Sequence, residues 1–165
     1  DLALCEMKVG DFVKVEIPAD LARGEKGIPG VIPPNSANWL YLKVRARVSP
    51  EYNQGGVQVW TLMKGEGSDV DQTMDKEIQY HAIVSTASNP SVMNTYAAHF
   101  PLKYSPGQKN VIPGLRKTLN NAKKGEKIFV LVDAKQAYGS RGYVNLIKPN
   151  ESVFFNLTIK DVRPI

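Results

Sequence analysis

Cys5, His81 and His99 are the only cysteine and histidines in this chain, too few to build a four-ligand zinc site of the usual kind. A lone cysteine also excludes an intramolecular disulfide, and in its apolar surroundings Cys5 reads as a small helix residue. Asp69 and Asp71, after Gly65-Glu66-Gly67, have the flavour of a calcium loop, but no closing ligand pattern follows, so a solvated turn is expected. No Ser-His-Asp set and no phosphate-binding glycine loop occurs, and no metal or cofactor is implied. Asn150-Glu151-Ser152 and Asn156-Leu157-Thr158 fit the glycosylation acceptor pattern, although the second falls in an expected strand. What remains is a set of aromatic and aliphatic side chains. Taken singly, Tyr80, Tyr138 and Phe155 on alternating strands read as core residues.

The elements that position them show an internal repeat. Gly10 matches Gly125, Ala22 matches Ala137, Gly24 matches Gly139, Gly27 matches Gly142, Pro34 matches Pro149 and Asn35 matches Asn150, each pair 115 positions apart. A period of that length indicates a duplicated domain rather than a solenoid, whose repeats run to roughly 20–50 residues. The pattern implies one complete unit and the back half of another, with sequence preceding Asp1. Residues 1–7 read as the end of a helix, its counterpart being Leu115–Lys123. Phe12–Ile17 alternates, with Val13, Val15 and Ile17 on one face, and Lys127–Val132 repeats this with Ile128, Val130 and Val132. Long Gly/Pro-rich connections follow both strands, Pro18–Ala37 and Asp133–Ser152; such loops inside compact domains are usually functional or disordered, and two copies of nearly equal length favour function. A strand is expected at Trp39–Val48 and a polar linker at Ser49–Gly55. Further strands are expected at Val57–Met63, Glu77–Ser85 and Leu102–Tyr104. Mostly strands with one short helix per unit implies an antiparallel α+β domain, the helix packed on one sheet face.

A chain of 165 residues with 42% hydrophobic and 22% charged content is long enough and apolar enough to bury a core, which excludes extensive disorder. No apolar run approaches the roughly 18 residues that span a bilayer, and residues 1–15 lack the order of a signal peptide. Localisation is left open. The net charge of +5 is scattered; its densest run, Lys123, Lys124 and Lys127, has no interleaved aromatics for base stacking, so nucleic acid is not an expected partner.

The ordered constellation Val111-Ile112-Pro113-Gly114-Leu115, Gly125, Ala137-Tyr138-Gly139, Gly142, Ile147, Pro149 and Phe155 resembles the FKBP-type peptidyl-prolyl isomerases, the immunophilins. The similarity covers residues 56–163, a whole family domain, and includes the opening Gly56-Val57-Gln58-Val59. Residues 1–48 resemble the same domain from just after its helix start, through Gly24, Gly27 and Val31-Ile32-Pro33-Pro34-Asn35. The resemblance implies a twisted antiparallel sheet wrapped around a short helix: the C-terminal half of a first domain at 1–48, a linker at 49–55 and a complete domain at 56–165.

It also implies an activity. Rotation about a peptide bond faces a barrier of about 18–20 kcal/mol from amide resonance, and X-Pro is the bond whose cis and trans forms lie within about 1 kcal/mol. A twisted amide loses carbonyl polarity, so a dry apolar pocket with a few hydrogen bonds favours it over the planar form, without nucleophile or metal. By resemblance, Tyr80, Asn94, Tyr138 and Phe155 are the catalytic candidates. Met93, Leu102, Val111, Ile112, Leu115, Tyr143 and Leu146 are the substrate-binding ones, with Val111 and Ile112 offering backbone hydrogen bonds. Four positions depart from the family pattern. Met93 and Leu102 stand where the family has phenylalanine, Asn94 where it has aspartate, and Leu115 where tryptophan forms the floor. In the first unit Arg23 takes the place of Tyr138 and Leu40 that of Phe155, so that unit is read as non-catalytic.

The expected function is isomerisation of X-Pro bonds in proline-containing protein clients, weakened by the lost rings. The alternative is a degenerate module that keeps the fold for interaction or chaperone work in a larger assembly. Phe129, Leu131 and Phe154 point away from their inward neighbours and mark an outer apolar face as a candidate protein contact.

Overall fold

The computed structural model describes residues 2–67 and 75–165, so Asp69 and Asp71 of the suggested calcium loop lie outside the described residues. The chain divides into two compact units, Asp1–Val48 and Ser49–Ile165.

In the first unit a short helix, α1 (Leu2–Glu6), precedes β1 (Phe12–Ile17) and β2 (Asn38–Lys43), which pair antiparallel from Phe12↔Lys43 to Ile17↔Asn38. Alternation puts Phe12, Lys14 and Glu16 beside Lys43, Tyr41 and Trp39 on one face, where the Lys14 ammonium sits 3.7 Å from the centre of the Trp39 ring. Val13, Val15 and Ile17 alternate with them, half-buried, as their period-two pattern requires. The expected strand Trp39–Val48 is shorter in the structure, because its partner runs out: β1 begins at Phe12, and Val44 makes the last pairing, donating its N–H to Asp11 O.

Among the described residues the second unit is a seven-stranded antiparallel sheet with one α-helix. Its strands are β3 (Tyr52–Gln54), β4 (Val57–Met63), β5 (Lys76–Ser85), β6 (Met93–Asn94), β7 (Leu102–Tyr104), β8 (Lys127–Val132) and β9 (Val153–Pro164), with α2 at Pro113–Asn120. Spatial order is β3-β4-β8-β9-β5-β6, and β7 pairs beside β6 along β5. The segment expected as a linker is largely structured: Gly55 and Gly56 turn the chain at positive φ, so Tyr52–Gln54 folds back onto β4 with Tyr52 opposite Val59. The two residues of β6 lack the length for an alternating signature and were not expected as a strand.

One face of the sheet buries Ile78, Tyr80, Ala82 and Val84 from β5, Ile128, Val130 and Val132 from β8, and Val153, Phe155, Leu157 and Ile159 from β9. Leu115 and Leu119 of α2 close the core from above. The helix begins two residues earlier than the apolar spacing suggests. Pro113 occupies its first turn, where the missing N–H costs nothing, and Ile112 precedes it in extended conformation. Its C-terminus is held by the buried Lys76, whose ammonium donates to Asn120 O at 2.6 Å, and by the Tyr104 hydroxyl, 2.9 Å from Asn120 Oδ1. A cation there also meets the negative end of the helix dipole. On the opposite sheet face Phe129 and Phe154 meet edge-on at 5.1 Å between centroids and are half-buried.

The two long loops have the same internal bonding. Asn35 N donates to Gly24 O (2.8 Å) as Asn150 N does to Gly139 O (2.9 Å), and Ile28↔Ile32 and Tyr143↔Ile147 form equivalent bridges. Gly27 and Gly142 both sit at positive φ, and at either a Cβ would overlap the carbonyl oxygen of Ile32 or Ile147. Only glycine satisfies both demands, which accounts for their shared positions. Among the described residues no helix is long and apolar enough to cross a membrane.

Candidate functional site

Tyr80 lies mid-strand on β5, opposite Leu102 of β7 on one side and Ile159 of β9 on the other. β9 carries one extra residue, Lys160, at this point, so the register shifts beside Tyr80 and the ring stays on the core face. Phe155 stands two strand pairs away, opposite Val84 and Val130. Val111 and Leu115 join them from the start of α2. These four side chains are all under a tenth exposed and belong to one cluster, against which Leu102, Ile112 and Tyr138 pack, partly buried. The structure thus assembles seven of the eleven candidates into one contiguous patch at the junction of β5, β7, β9, α2 and the long loop after β8.

Two hydrogen-bond donors in this patch are uncommitted. The Tyr80 hydroxyl bonds to no described residue, and because no sealed side-chain oxygen among the described residues lacks a partner, this oxygen lies where solvent or a ligand reaches it. The Ile112 N–H, ahead of the first helical turn, likewise has no acceptor among the described residues, whereas Val111 O accepts from Arg116 Nε at 3.0 Å. A polar group half-surrounded by hydrocarbon and left without a partner is costly, so both are available to donate to solvent or to a ligand oxygen. Burial pushes the Tyr80 phenol up to about 12, helped by the nearby Tyr138 and Tyr104 phenols, so it is a neutral donor at physiological pH. Tyr138 is also raised, first by burial and then by Tyr143, whose ring lies 5.2 Å away.

The remaining candidates sit further out. Tyr143 and Leu146 are exposed on the long loop, and Met93 and Asn94 are exposed on the edge strand β6. Asn94 does not hydrogen-bond Tyr80. Its Oδ1 accepts the N–H groups of Tyr96 (3.0 Å) and Ala97 (3.2 Å), pinning the turn that follows β6. Beside Met93 it is Val92 that packs on the core, and Ile147, next to Leu146, is buried; neither was among the site candidates. Val92 gives little sequence signal because the Ala87–Phe100 stretch lacks periodicity, while Ile147 was legible as one of the residues that carry the family resemblance. The loops around the patch are tied together: Asn89 Nδ2 donates to Leu146 O (3.1 Å), and Glu151 accepts from Ser88 N (2.8 Å) and Lys148 N (3.1 Å). Among the described residues no group of three metal-ligating side chains occurs.

Sheet and helix together define an α+β domain of the immunophilin type. The sequence model of the FKBP-type peptidyl-prolyl cis-trans isomerases matches residues 1–45 and 69–160, and the chain belongs to that family. It is 28% identical over 161 residues to the peptidyl-prolyl cis-trans isomerase FKBP10 of Mus musculus, which covers 98% of this chain but 27% of that protein. It is 29% identical over 114 residues to FK506-binding protein 1B of Aspergillus fumigatus, covering 66% of this chain and 95% of that one. The fold is similar to that of the N-terminal domain of FKBP42 from Arabidopsis thaliana, with a TM-score of 0.63 at 18% identity, over 74% of this chain and 98% of the other.

Proposed function

We propose that residues 56–165 form a complete isomerase-type domain that catalyses cis-trans rotation about X-Pro bonds of protein clients, and that residues 1–48 are the C-terminal half of a second, non-catalytic copy. Family membership supports a peptidyl-prolyl isomerase-like function. The observation that carries the reading for this chain is the pairing of a buried apolar cluster, Tyr80, Val111, Leu115 and Phe155, with two donors that have no acceptor among the described residues, Tyr80 Oη and Ile112 N. Phe155 and Leu115 receive the prolyl ring, Ile112 N–H holds a client carbonyl, and the Tyr80 hydroxyl, with Tyr138 beside it, meets the rotating amide. Leu102, Met93, Tyr143 and Leu146 form the rim. Removing the amide from water favours its less polar, twisted form, and donors fixed in place need no reorganisation as it turns.

Activity is weak in this reading, because leucine replaces the floor ring and aromatic contacts of that kind are worth about 0.5–1.5 kcal/mol beyond burial. One observation favours the alternative of a degenerate interaction module: Asn94 spends its side-chain oxygen on its own turn rather than on the site. A protease-free isomerisation assay on a prolyl peptide separates the two. Turnover that falls in both Tyr138→Phe and Phe155→Ala supports catalysis; a rate equal to the uncatalysed one leaves the interaction module.

A further inference from the structure

The helix α2 has a second flank that the isomerase reading does not use. Leu115 and Leu119 point into the core, but Gly114, Lys117, Thr118 and Asn121 follow the three-and-four spacing of a different helical face. That face forms one wall of a cleft of about 370 Å³ whose other walls come from β3, β4 and β8. The volume is within the roughly 300–1,000 Å³ range of small-molecule sites. The floor is hydrocarbon: Val57, Val59 and Ile128. At the wall, Gly114 is without a side chain because a Cβ would overlap the buried Val132.

The mouth of this cleft carries charge. Lys117 reaches from the helix to β3 and holds its ammonium 4.2 Å from the centre of the Tyr52 ring. It makes no ion pair with any described carboxylate. Glu126 lines the end where α2 runs into β8, its Oε2 held by the Lys123 N–H at 2.8 Å. One unpaired cation over an apolar trough attracts an anion, and a fixed carboxylate at the trough's end selects against a second negative charge. The complementary ligand has a compact apolar body and a single carboxylate.

We infer that this cleft is a second binding site, separate from the Tyr80 patch, for an apolar monocarboxylate: the body lies on Val57, Val59 and Ile128 and the carboxylate meets Lys117 Nζ. A free aryl or branched acid and the C-terminal carboxylate of a peptide ending in an apolar residue share this chemistry.

The test is a titration of the ¹⁵N-labelled full chain at millimolar concentration with phenylbutyrate, with its uncharged amide, and with Ala-Val-Phe carrying a free or an amidated C-terminus. The expected result is movement of the Val57, Val59, Gly114 and Lys117 amide signals with at least one of the carboxylates. Lys117→Gln weakens that binding about fivefold, as loss of one exposed charge contact does, and Val59→Trp, which fills the trough, abolishes it. Lys117 is exposed enough for its variant to fold, so the test does not depend on the larger replacement. Response to phenylbutyrate alone assigns a free acid, and response to the peptide assigns a chain terminus. Amides that bind as tightly as the acids overturn the inference. So does an unaltered affinity in Lys117→Gln, or signal changes confined to Tyr80 and Phe155. Isomerase turnover is not the readout, so the two readings fail separately.

Discussion

Gly114→Ala tests how tightly α2 is seated on the sheet, and so how firmly both flanks of the helix are placed. A Cβ at this position lands inside van der Waals contact of Val132 Cγ1 and 3.3 Å from Gln136 Cβ. Val132 is fully buried between β4 and β9, so it has no free direction in which to yield. Two terms compete. Alanine gains up to about 1 kcal/mol over glycine in a helix. Forcing a methyl into a filled core costs about 1–3 kcal/mol. Because the overlap is with a buried side chain on a central strand, the packing term wins, and a net loss of about 1 kcal/mol is expected. Val132→Ala alone removes two buried methyl groups and costs about 2 kcal/mol. In the double variant the new methyl fills part of the space vacated, so the two losses fall short of additive by about 1 kcal/mol. The chain has two tryptophans, Trp39 and Trp60, so urea unfolding followed by Trp60 emission in a Trp39→Phe background reports the second unit alone. Additivity within roughly 0.5 kcal/mol would refute the claim that Gly114 is required by contact with Val132.

Two pH effects follow from the site itself. Tyr80 is neutral in the fold and held up to about 12 against an ordinary 10.0; its contribution to stability is therefore full below pH 10 and is lost as pH rises from there to about 12. Absorbance titration of the tyrosinates, compared with Tyr80→Phe, shows one late-titrating phenol disappear; a Tyr80 that titrates with the exposed tyrosines contradicts its burial. Glu151 is pulled the other way. Partial burial raises its pKa, but hydrogen bonds from Ser88, Lys148 and Thr86 outweigh this and leave it lowered. The tie between the Thr86–Asn89 turn and the long loop is therefore present above about pH 4.5 and lost as pH falls below it. The protection factors of the Ser88 and Lys148 amides, their exchange measured against an unstructured amide at the same pH, should fall at acid pH in the native chain and be low already at neutral pH in Glu151→Gln. Equal protection in both would remove Glu151 from that role.

The strands were legible because they are long and half-buried, so their period of two is written in residues such as Val13, Val15 and Ile17 or Ile128, Val130 and Val132. Glycines with a steric duty were legible as well: Gly27 and Gly142 appear in both units because a carbonyl occupies the space of their Cβ. Features set by hydrogen bonding across the chain left no such trace. Asn94 has the composition of a site residue, yet its commitment to Tyr96 and Ala97 depends on the turn after a two-residue strand. The fold-back of Tyr52–Gln54 looked like a linker because Pro and Gly flank polar residues there, and only the pairing with Val57–Val59 shows otherwise. The free N–H of Ile112 is a backbone property and is invisible in side-chain identity. The cleft under Lys117 depends on which helical face meets the hairpin, a tertiary fact.

The substitutions at the patch bear unequally on binding and on rotation. On the proposed reading Met93, Leu102 and Leu115 stand where rings would touch the prolyl side of a client, and such contacts are made to the planar and the twisted amide alike. Their loss is a loss of uniform binding, which raises KM and leaves the rotation step little changed. On that reading the groups that discriminate between the two forms are those that face the carbonyls, and the chain has kept them: the Tyr80 hydroxyl is neutral, and neither it nor the Ile112 N–H has a partner among the described residues. Asn94 is the departure that falls on the discriminating side, since it gives up a charge and turns its oxygen to the backbone. On the isomerase reading proposed above, loose hold on the proline combined with retained donors suits clients brought to the domain at high local concentration, where a raised KM costs little.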